Sequence, residues 1–222
     1  MLRLCALLLP IACVGCASGA GAVYDSMRTA LSSPHADSAT TPALRPELQY
    51  LHVTQNGQTS RLALGYRESM ATAPDAQAEV WFAANGNLIK LYNGHLVAST
   101  GLATNWRAVR WTALPQWSDV PAQGVVYERE RDVMPGYRYG LRDRLHLRPM
   151  DAPPALAPSD MAWHASDMLW FEETDVDGDL PTGFFAVDPS RPDHPVVFSH
   201  QCLSPDLCLS IYPLQSRRDG SP

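Results

Sequence analysis

The five cysteines of this 222-residue sequence fall into two groups with different predicted chemistry. The last cysteine of the first group, Cys16, follows Gly15 at the end of an apolar run that begins after Arg3. A positive residue, an apolar run of about 7–15 residues and a small residue before a cysteine are typical of a lipoprotein signal peptide. The pattern predicts cleavage before Cys16 and attachment of a diacylglycerol to its sulfur. The alternatives, a membrane-spanning helix of about 20 apolar residues or a buried N-terminal helix, fit the pattern less well.

The second group is the pair Cys202 and Cys208, separated by five residues. In the oxidising compartment that a secretory signal implies, a remaining pair of cysteines predicts a disulfide. Zinc binding is the alternative because His200 lies close by, but a tetrahedral site needs a fourth ligand that the neighbouring sequence lacks. We therefore expect a disulfide and no metal site.

Charged side chains alternate along two runs, residues 124–133 and 137–148, on either side of a Met134-Pro135-Gly136 turn. The acidic set is Glu128, Glu130 and Asp132, and the basic set is Arg138, Arg142, Arg144, His146 and Arg148. If the runs are paired strands, each set shares a face and the two form a cross-strand charge ladder. Two alternatives remain: Arg138, Arg142 and Arg144 could form a groove that contacts an acidic polysaccharide, or carboxylates could catalyse glycoside hydrolysis. The carboxylate pairs to consider are Glu128 with Glu130 and Glu172 with Glu173.

The sequence contains no G-x-S-x-G, H-E-x-x-H, G-x-x-x-x-G-K or G-x-G-x-x-G motif. The acidic stretch that begins at Asp175 resembles the start of a calcium loop, but the twelfth position is Ala186 rather than the bidentate glutamate that an EF-hand needs. This stretch predicts an Asp-Gly turn instead. We expect no catalytic residues, no cofactor and no enzymatic activity.

Strands are predicted almost throughout the chain after residue 46. Asn-Gly dipeptides at residues 56–57, 85–86 and 93–94 separate runs of alternating apolar and polar residues, which indicates tight hairpins. Further short strands are predicted near Trp106 and at residues 163–174, 183–187, 196–200 and 207–212. The prediction is an all-β fold, an antiparallel β-sandwich or a barrel-like meander.

Three regions are predicted along the chain. Residues 1–15 form the lipoprotein signal peptide, residues 16–45 an acylated tether with a short amphipathic helix at 23–31, and residues 46–216 the all-β domain. A Pro/Ala-rich stretch at 150–160 would divide that domain if it has two lobes. A formal net charge of −6 argues against nucleic acid as a partner. The six tryptophans favour a core role over sugar-binding platforms.

Several short motifs, taken in order, resemble the YjbF/GfcB family of group 4 capsule and exopolysaccharide lipoproteins. They are Asn93-Gly94-His95-Leu96-Val97 with Thr100-Gly101-Leu102, Arg131-Asp132 with Pro135-Gly136-Tyr137, and Gln201-Cys202-Leu203-Ser204-Pro205-Asp206. The resemblance covers roughly residues 45 to 215, and His95 stands where the family usually has arginine.

The resemblance implies a mostly β lipoprotein of the Gram-negative outer membrane, encoded with polysaccharide export machinery. We expect a non-enzymatic accessory, anchored through Cys16 on the periplasmic face, with export proteins and polysaccharide as partners. Ala17, in place of the aspartate that retains lipoproteins at the inner membrane, favours outer-membrane sorting. A carbohydrate-binding module and a polysaccharide-modifying hydrolase are the alternatives.

Overall fold

The computed structural model describes residues 44–70, 73–158, 163–178 and 180–214. The signal peptide, the lipid attachment site Cys16 and the helix predicted at residues 23–31 lie outside the described residues. No helix in the described part of the chain is long and apolar enough to span a membrane.

Twelve strands make up most of the described chain. They are β1 (Tyr50–Gln55), β2 (Gln58–Met70), β3 (Ala73–Ala83), β4 (Leu88–Tyr92), β5 (His95–Thr100), β6 (Asn105–Trp111), β7 (Val125–Met134), β8 (Arg138–Met150), β9 (Leu169–Asp175), β10 (Gly183–Val187), β11 (Val196–Ser204) and β12 (Leu207–Leu214). Two single-turn 3-10 helices, Trp117–Asp119 and Ala165–Asp167, lie in the connections.

The strands form one sheet in which neighbours along the chain are neighbours in space. The order is β5-β4-β3-β2-β1-β12-β11-β10-β9-β8-β7-β6, and all eleven pairings are antiparallel. Pairing of β1 with β12 joins the two ends of the domain, and the end strands of the sheet, β5 and β6, are consecutive in sequence. The result is a nearly closed, barrel-like sheet, which confirms the all-β meander prediction.

Two of the three Asn-Gly dipeptides make the predicted two-residue turns. Asn56 and Gly57 have φ values of 50° and 76°, and Asn93 and Gly94 have φ values of 48° and 79°. Positive φ at both positions is the geometry of a type I′ turn. In the third dipeptide only Gly86 has positive φ, at 88°, and residues 84–87 form a longer turn.

Side chains that alternate along the strands separate an inner from an outer face. On the inner face, Leu51 and Trp81 belong to the largest buried cluster, and Phe185 belongs to a second one around Trp117. Their neighbours Tyr50 and Phe82 pack in an outer cluster. All six tryptophans are buried or partly buried against such clusters, so their predicted core role is confirmed.

The predicted lobe boundary falls in the connection between β8 and β9. These two strands pair directly, from Leu145 opposite Asp175 to Met150 opposite Trp170. The strands before and after the Pro/Ala-rich stretch therefore belong to the same sheet.

Candidate functional site

The predicted charge ladder lies on the exposed face of β7 and β8. Glu128 is paired with Arg144, and Glu130 with Arg142. The Arg142 Nε atom lies 3.8 Å from Glu130 Oε2, and the Arg142 side chain is 80% exposed. Arg110 of β6 extends the ladder, because its two terminal nitrogens bind Glu130 at 3.2 Å and Asp132 at 3.1 Å.

The three arginines predicted to contact polysaccharide are all exposed, but they do not form one row. Arg142 and Arg144 lie side by side opposite acidic residues, whereas Arg138 is paired with Val133 beyond a register shift. Gly140, with φ of 65°, lies between them in left-handed conformation. Strict alternation is broken there, so the predicted shared face is wrong for Arg138, which lies at the tip of the hairpin.

The opposite face of the same strands holds a buried ion cluster, made of Tyr127, Arg129, Arg131, Asp143, Glu173 and His95. Asp143 accepts hydrogen bonds from Arg129 Nε at 2.8 Å and from Arg131 Nε and Nη2 at 2.7 and 2.9 Å. Both guanidinium groups also lie over the ring of Trp106, at 4.7 and 5.5 Å from its centroid. Two buried guanidinium groups therefore share the Asp143 carboxylate as a hydrogen-bond acceptor and the Trp106 ring as a cation–π partner.

Glu173 of β9 is the second carboxylate of the buried ion cluster. It accepts a hydrogen bond from the Tyr127 hydroxyl and one from Arg129 Nη1 at 3.4 Å. His95 Nδ1 of β5 lies 3.7 Å from Glu173 Oε2. Through these contacts the buried ion cluster connects four strands, β5, β7, β8 and β9.

Burial and neighbouring charges act in opposite directions on the two carboxylates. Burial tends to raise the pKa of Asp143, but hydrogen bonds and charge from Arg131 and Arg129 outweigh it and hold the pKa below its ordinary value. Burial dominates at Glu173 and raises its pKa, against the opposing effects of Arg129 and Tyr127. Burial, with the charge of Glu173, also raises the pKa of Tyr127 well above its usual range. Tyr127 therefore acts as a hydrogen-bond donor and not as a phenolate.

His95 is a neutral, aromatic member of the buried ion cluster. Burial, together with the charge of Arg129, lowers its pKa from 6.5 to about 3. Its ring stacks on Trp117, with centroids 5.1 Å apart, and contacts Phe185 at 4.7 Å. At neutral pH His95 therefore carries no charge.

The buried ion cluster is closed to ligands. The void beside Arg129, Glu173 and Trp106 measures about 10 Å³, which is at the lower limit for a single water molecule. The two candidate catalytic carboxylates of β9 are also on opposite faces, since Glu172 binds Arg148 outside while Glu173 lies inside. The arrangement stabilises strand register and leaves no room for a substrate.

Sequence reasoning missed the buried ion cluster because both faces of β7 carry charges. The charge alternates in sign along the strand, in the order Glu128, Arg129, Glu130, Arg131, Asp132. Because successive side chains of a strand point to opposite faces, one face carries the acidic residues and the other the basic ones. The alternation does not show which face is inside. Tyr127 is the residue that indicates that the basic row faces the interior, because it is an aromatic side chain on the same face as Arg129 and Arg131.

Cys202 and Cys208 form the predicted disulfide. They are directly opposite in the β11–β12 hairpin, with Cα atoms 3.9 Å apart. The alternative zinc site would use the same two sulfurs with His200, whose donor atom lies within 4.8 Å of them. His200 Nδ1 is hydrogen-bonded to Ser210 Oγ at 2.9 Å. The disulfide closes the hairpin that precedes the pairing of β12 with β1.

The fold is that of an up-and-down, all-β protein whose inner face contains ion pairs between neighbouring strands. One solved structure with this fold is that of the hypothetical lipoprotein YmcC from Escherichia coli (K12), with a TM-score of 0.60 and 15% sequence identity. The alignment covers 86% of this chain and 96% of that one. No family model and no curated protein matches the sequence. At this identity the comparison shows that the two chains share a fold.

Proposed function

We propose that this protein is a lipid-anchored, non-enzymatic accessory of capsule or exopolysaccharide export or assembly, on the periplasmic face of a Gram-negative outer membrane. Three observations support the proposal: the signal sequence ending at Cys16, the motifs resembling the YjbF/GfcB family, and the fold shared with a hypothetical lipoprotein. The partners would be the outer-membrane lipid, the polysaccharide and proteins of the export machinery.

The observation that carries the proposal is the distribution of charge between the two faces of β7 and β8. The carboxylates of the inner face are engaged by arginines and a tyrosine, whereas Arg144 on the exposed face and Arg138 at the hairpin tip have no ion pair with any described residue. Exposed guanidinium groups bind carboxylates in a bidentate manner. The exposed side of this hairpin is therefore suited to bind an acidic polymer and the inner side to hold the fold together.

A deletion strain complemented with variants tests the role in export. We expect loss of surface polysaccharide on deletion, recovery with the wild-type gene, and reduced recovery when Arg138, Arg142 and Arg144 are all replaced by glutamine. A matched control replaces Arg45, Arg107 and Arg191, which are exposed on other parts of the described surface. Unchanged surface polysaccharide after deletion would contradict the proposal.

Metabolic labelling tests the anchor separately. Labelled palmitate should enter the wild-type protein and not the Cys16→Ala variant, because the sulfur that accepts the diacylglycerol is absent. An Ala17→Asp variant should still be labelled but should move from the outer-membrane to the inner-membrane fraction. Equal labelling of wild-type and Cys16→Ala proteins would exclude this anchor.

A further inference from the structure

The two cysteines of the disulfide differ in their access to solvent. Cys202 is only 5% exposed, whereas Cys208 is partly exposed. Thiol–disulfide exchange begins when a thiolate attacks one of the two sulfurs, and the other sulfur then leaves as a thiolate. The difference in exposure directs a thiolate from solvent to Cys208 and makes Cys202 the leaving group.

A histidine and a serine lie beside the disulfide in the same hairpin. His200 is paired with Ser210, and each lies two residues from a cysteine of the pair Cys202 and Cys208. Residues two apart on a strand share a face. His200 Nδ1 is hydrogen-bonded to Ser210 Oγ at 2.9 Å, and His200 Nε2 lies 4.0 Å from Cys202 Sγ. The imidazole is therefore placed beside the sulfur that would leave.

The imidazole of His200 is suited to stabilise a thiolate at Cys202. Burial lowers the pKa of His200, so at neutral pH the ring is neutral and carries one N–H. When the Ser210 hydroxyl donates to Nδ1, this N–H is on Nε2, the nitrogen nearer to Cys202. A hydrogen bond to a thiolate favours the charged form and lowers the pKa of the thiol, and a thiol of lower pKa leaves faster.

The segment of β11 that carries Cys202 also contacts the seam between the end strands β5 and β6. Gln201 accepts a hydrogen bond from the Leu96 N–H of β5 at 2.8 Å, and the Leu203 carbonyl accepts one from Trp106 Nε1 of β6 at 3.0 Å. Gln201 and Leu203 are the two neighbours of Cys202 in sequence. The disulfide therefore holds the stretch of backbone that contacts both end strands.

We propose that Cys202–Cys208 is a thiol–disulfide exchange site and that its opening loosens the seam. The thiolate of a thiol reductant attacks Cys208 Sγ and forms a mixed disulfide. The bond between the two cysteines breaks, and Cys202 leaves as a thiolate that accepts a hydrogen bond from His200 Nε2 and then takes a proton from water. A second reductant thiolate attacks the reductant's sulfur in the mixed disulfide and releases Cys208, which is protonated in turn. The protein disulfide gains two electrons, and two reductant thiols are oxidised to a disulfide. This site is independent of the proposed export role.

Reduction of the full mature protein in detergent by glutathione tests the exchange site. Samples are quenched with iodoacetamide, and peptide mass spectrometry locates each group. In the mixed disulfide we expect glutathione on Cys208 and the alkyl group on Cys202. His200→Phe keeps a flat ring but removes the N–H, so it should slow reduction about five- to tenfold. The matched control His164→Phe, at an exposed position in the β8–β9 connection, should react like wild type.

A second variant keeps the test valid if His200→Phe fails to fold. Ser210→Ala removes the hydroxyl that orients the imidazole and should slow reduction about two- to fivefold. In concentrated urea, where the hairpin geometry is lost, wild type and all variants should react at one rate. No reduction of the native wild-type protein, glutathione on Cys202 instead of Cys208, or native variants that react as fast as wild type or faster would overturn the exchange site.

Amide hydrogen exchange of the oxidised and the reduced protein tests the effect on the seam. Loss of a cross-link lowers the stability of the whole domain, so the measure is the acceleration at Leu96 relative to that at Val80, a buried residue of β3 away from the seam. We expect reduction to accelerate exchange at Leu96 more than at Val80, because local opening of the seam requires less free energy than global unfolding. Equal acceleration at the two amides would refute the coupling between the disulfide and the seam.

Discussion

Asp143 is the carboxylate that compensates the two positive charges buried on the inner face of β7. It is 3% exposed and neutralises Arg129 and Arg131, both 5% exposed. Moving three charged groups out of water is costly, and only a dense set of hydrogen bonds between them offsets that cost. Loss of the Asp143 carboxylate would leave both guanidinium groups buried, and only Arg129 would keep a carboxylate partner, Glu173 at 3.4 Å.

The first prediction concerns this carboxylate. We expect Asp143→Asn to lower the free energy of unfolding by about 3–5 kcal/mol, because it removes one member of a buried ionic group. Equilibrium denaturation in urea, followed by circular dichroism, measures the change. The matched control is Glu130→Gln on the exposed ladder, for which we expect less than about 1 kcal/mol. Equal losses in the two variants would contradict the assigned roles.

The second prediction is a pH dependence that originates at His95. Its pKa is about 3 in the folded protein against 6.5 ordinarily, so between these values the unfolded chain binds one more proton. The free energy of unfolding should therefore fall as the pH is lowered through this window, by up to about 1.4 kcal/mol per pH unit from this group.

Glu173 reduces this slope. Its pKa is raised from 4.5 in the folded protein, so on acidification the folded state binds this proton at a higher pH than the unfolded chain does, which partly offsets the effect of His95. The experiment compares urea denaturation of wild type and His95→Gln across the pH range. The wild-type curve should lose stability more steeply on acidification. Parallel curves would show that His95 is not held neutral.

At the scale of the elements, the hairpins are held by turn geometry and by what packs against the turns. Gly57 and Gly94 have nearly the same φ, 76° and 79°. A Cβ on Gly57 would meet nothing within 4 Å, whereas one on Gly94 would lie 2.4 Å from Cγ2 of Val196. The β4–β5 turn is thus packed against β11, and the β1–β2 turn is open to solvent.

These two turns give the third prediction. Gly57→Ala should cost about 1 kcal/mol, because alanine is strained in the left-handed region. Gly94→Ala should cost at least about 1–3 kcal/mol more, because the added methyl also overlaps Val196. Thermal and urea denaturation of the two variants measure the difference. Similar losses would mean that the Gly94 contact has no energetic importance.

At the scale of the whole molecule, the sheet closes without a backbone ladder between its end strands. Backbone groups at and next to the open edge of β5 are hydrogen-bonded to side chains instead. Gln201 of β11 accepts a hydrogen bond from the Leu96 N–H at 2.8 Å and donates one to the Gly94 carbonyl at 2.8 Å. Ser99 Oγ accepts from the Trp106 N–H at 3.1 Å across the seam. Buried backbone groups need such partners, so a few polar side chains complete the closure.

The fourth prediction concerns Gln201. Gln201→Leu should lower the free energy of unfolding by about 2–4 kcal/mol, because it leaves the buried Leu96 N–H and the partly buried Gly94 carbonyl unpaired. Amide exchange at Leu96 should accelerate at the same time. Gln77→Leu is the control, since Gln77 is an exposed amide bonded to Ser69 at 3.1 Å, and it should change stability little. Slow exchange at Leu96 in Gln201→Leu would refute the bridging role.

The sequence alone determined most of the strands and their connectivity. Alternation of apolar and polar residues and the Asn-Gly dipeptides are local signals, and each fixes a hairpin within a few residues. Successive hairpins lead to an antiparallel meander, and the cysteine pair predicted the disulfide. These features need no knowledge of distant parts of the chain.

Only the tertiary structure decided which face of β7 and β8 is inside, since both faces carry charges. It also brought His95 and Glu173 together from strands far apart in sequence, and placed Gln201 against the edge of β5. A cavity of about 480 Å³ lined by Leu51, Trp81, Leu91 and Ile211 likewise depends on β1, β3, β4 and β12 meeting at one end of the sheet. The physical reason is that these features arise from closure of the sheet, which joins residues about 100 positions apart, and a local pattern carries no information on such contacts.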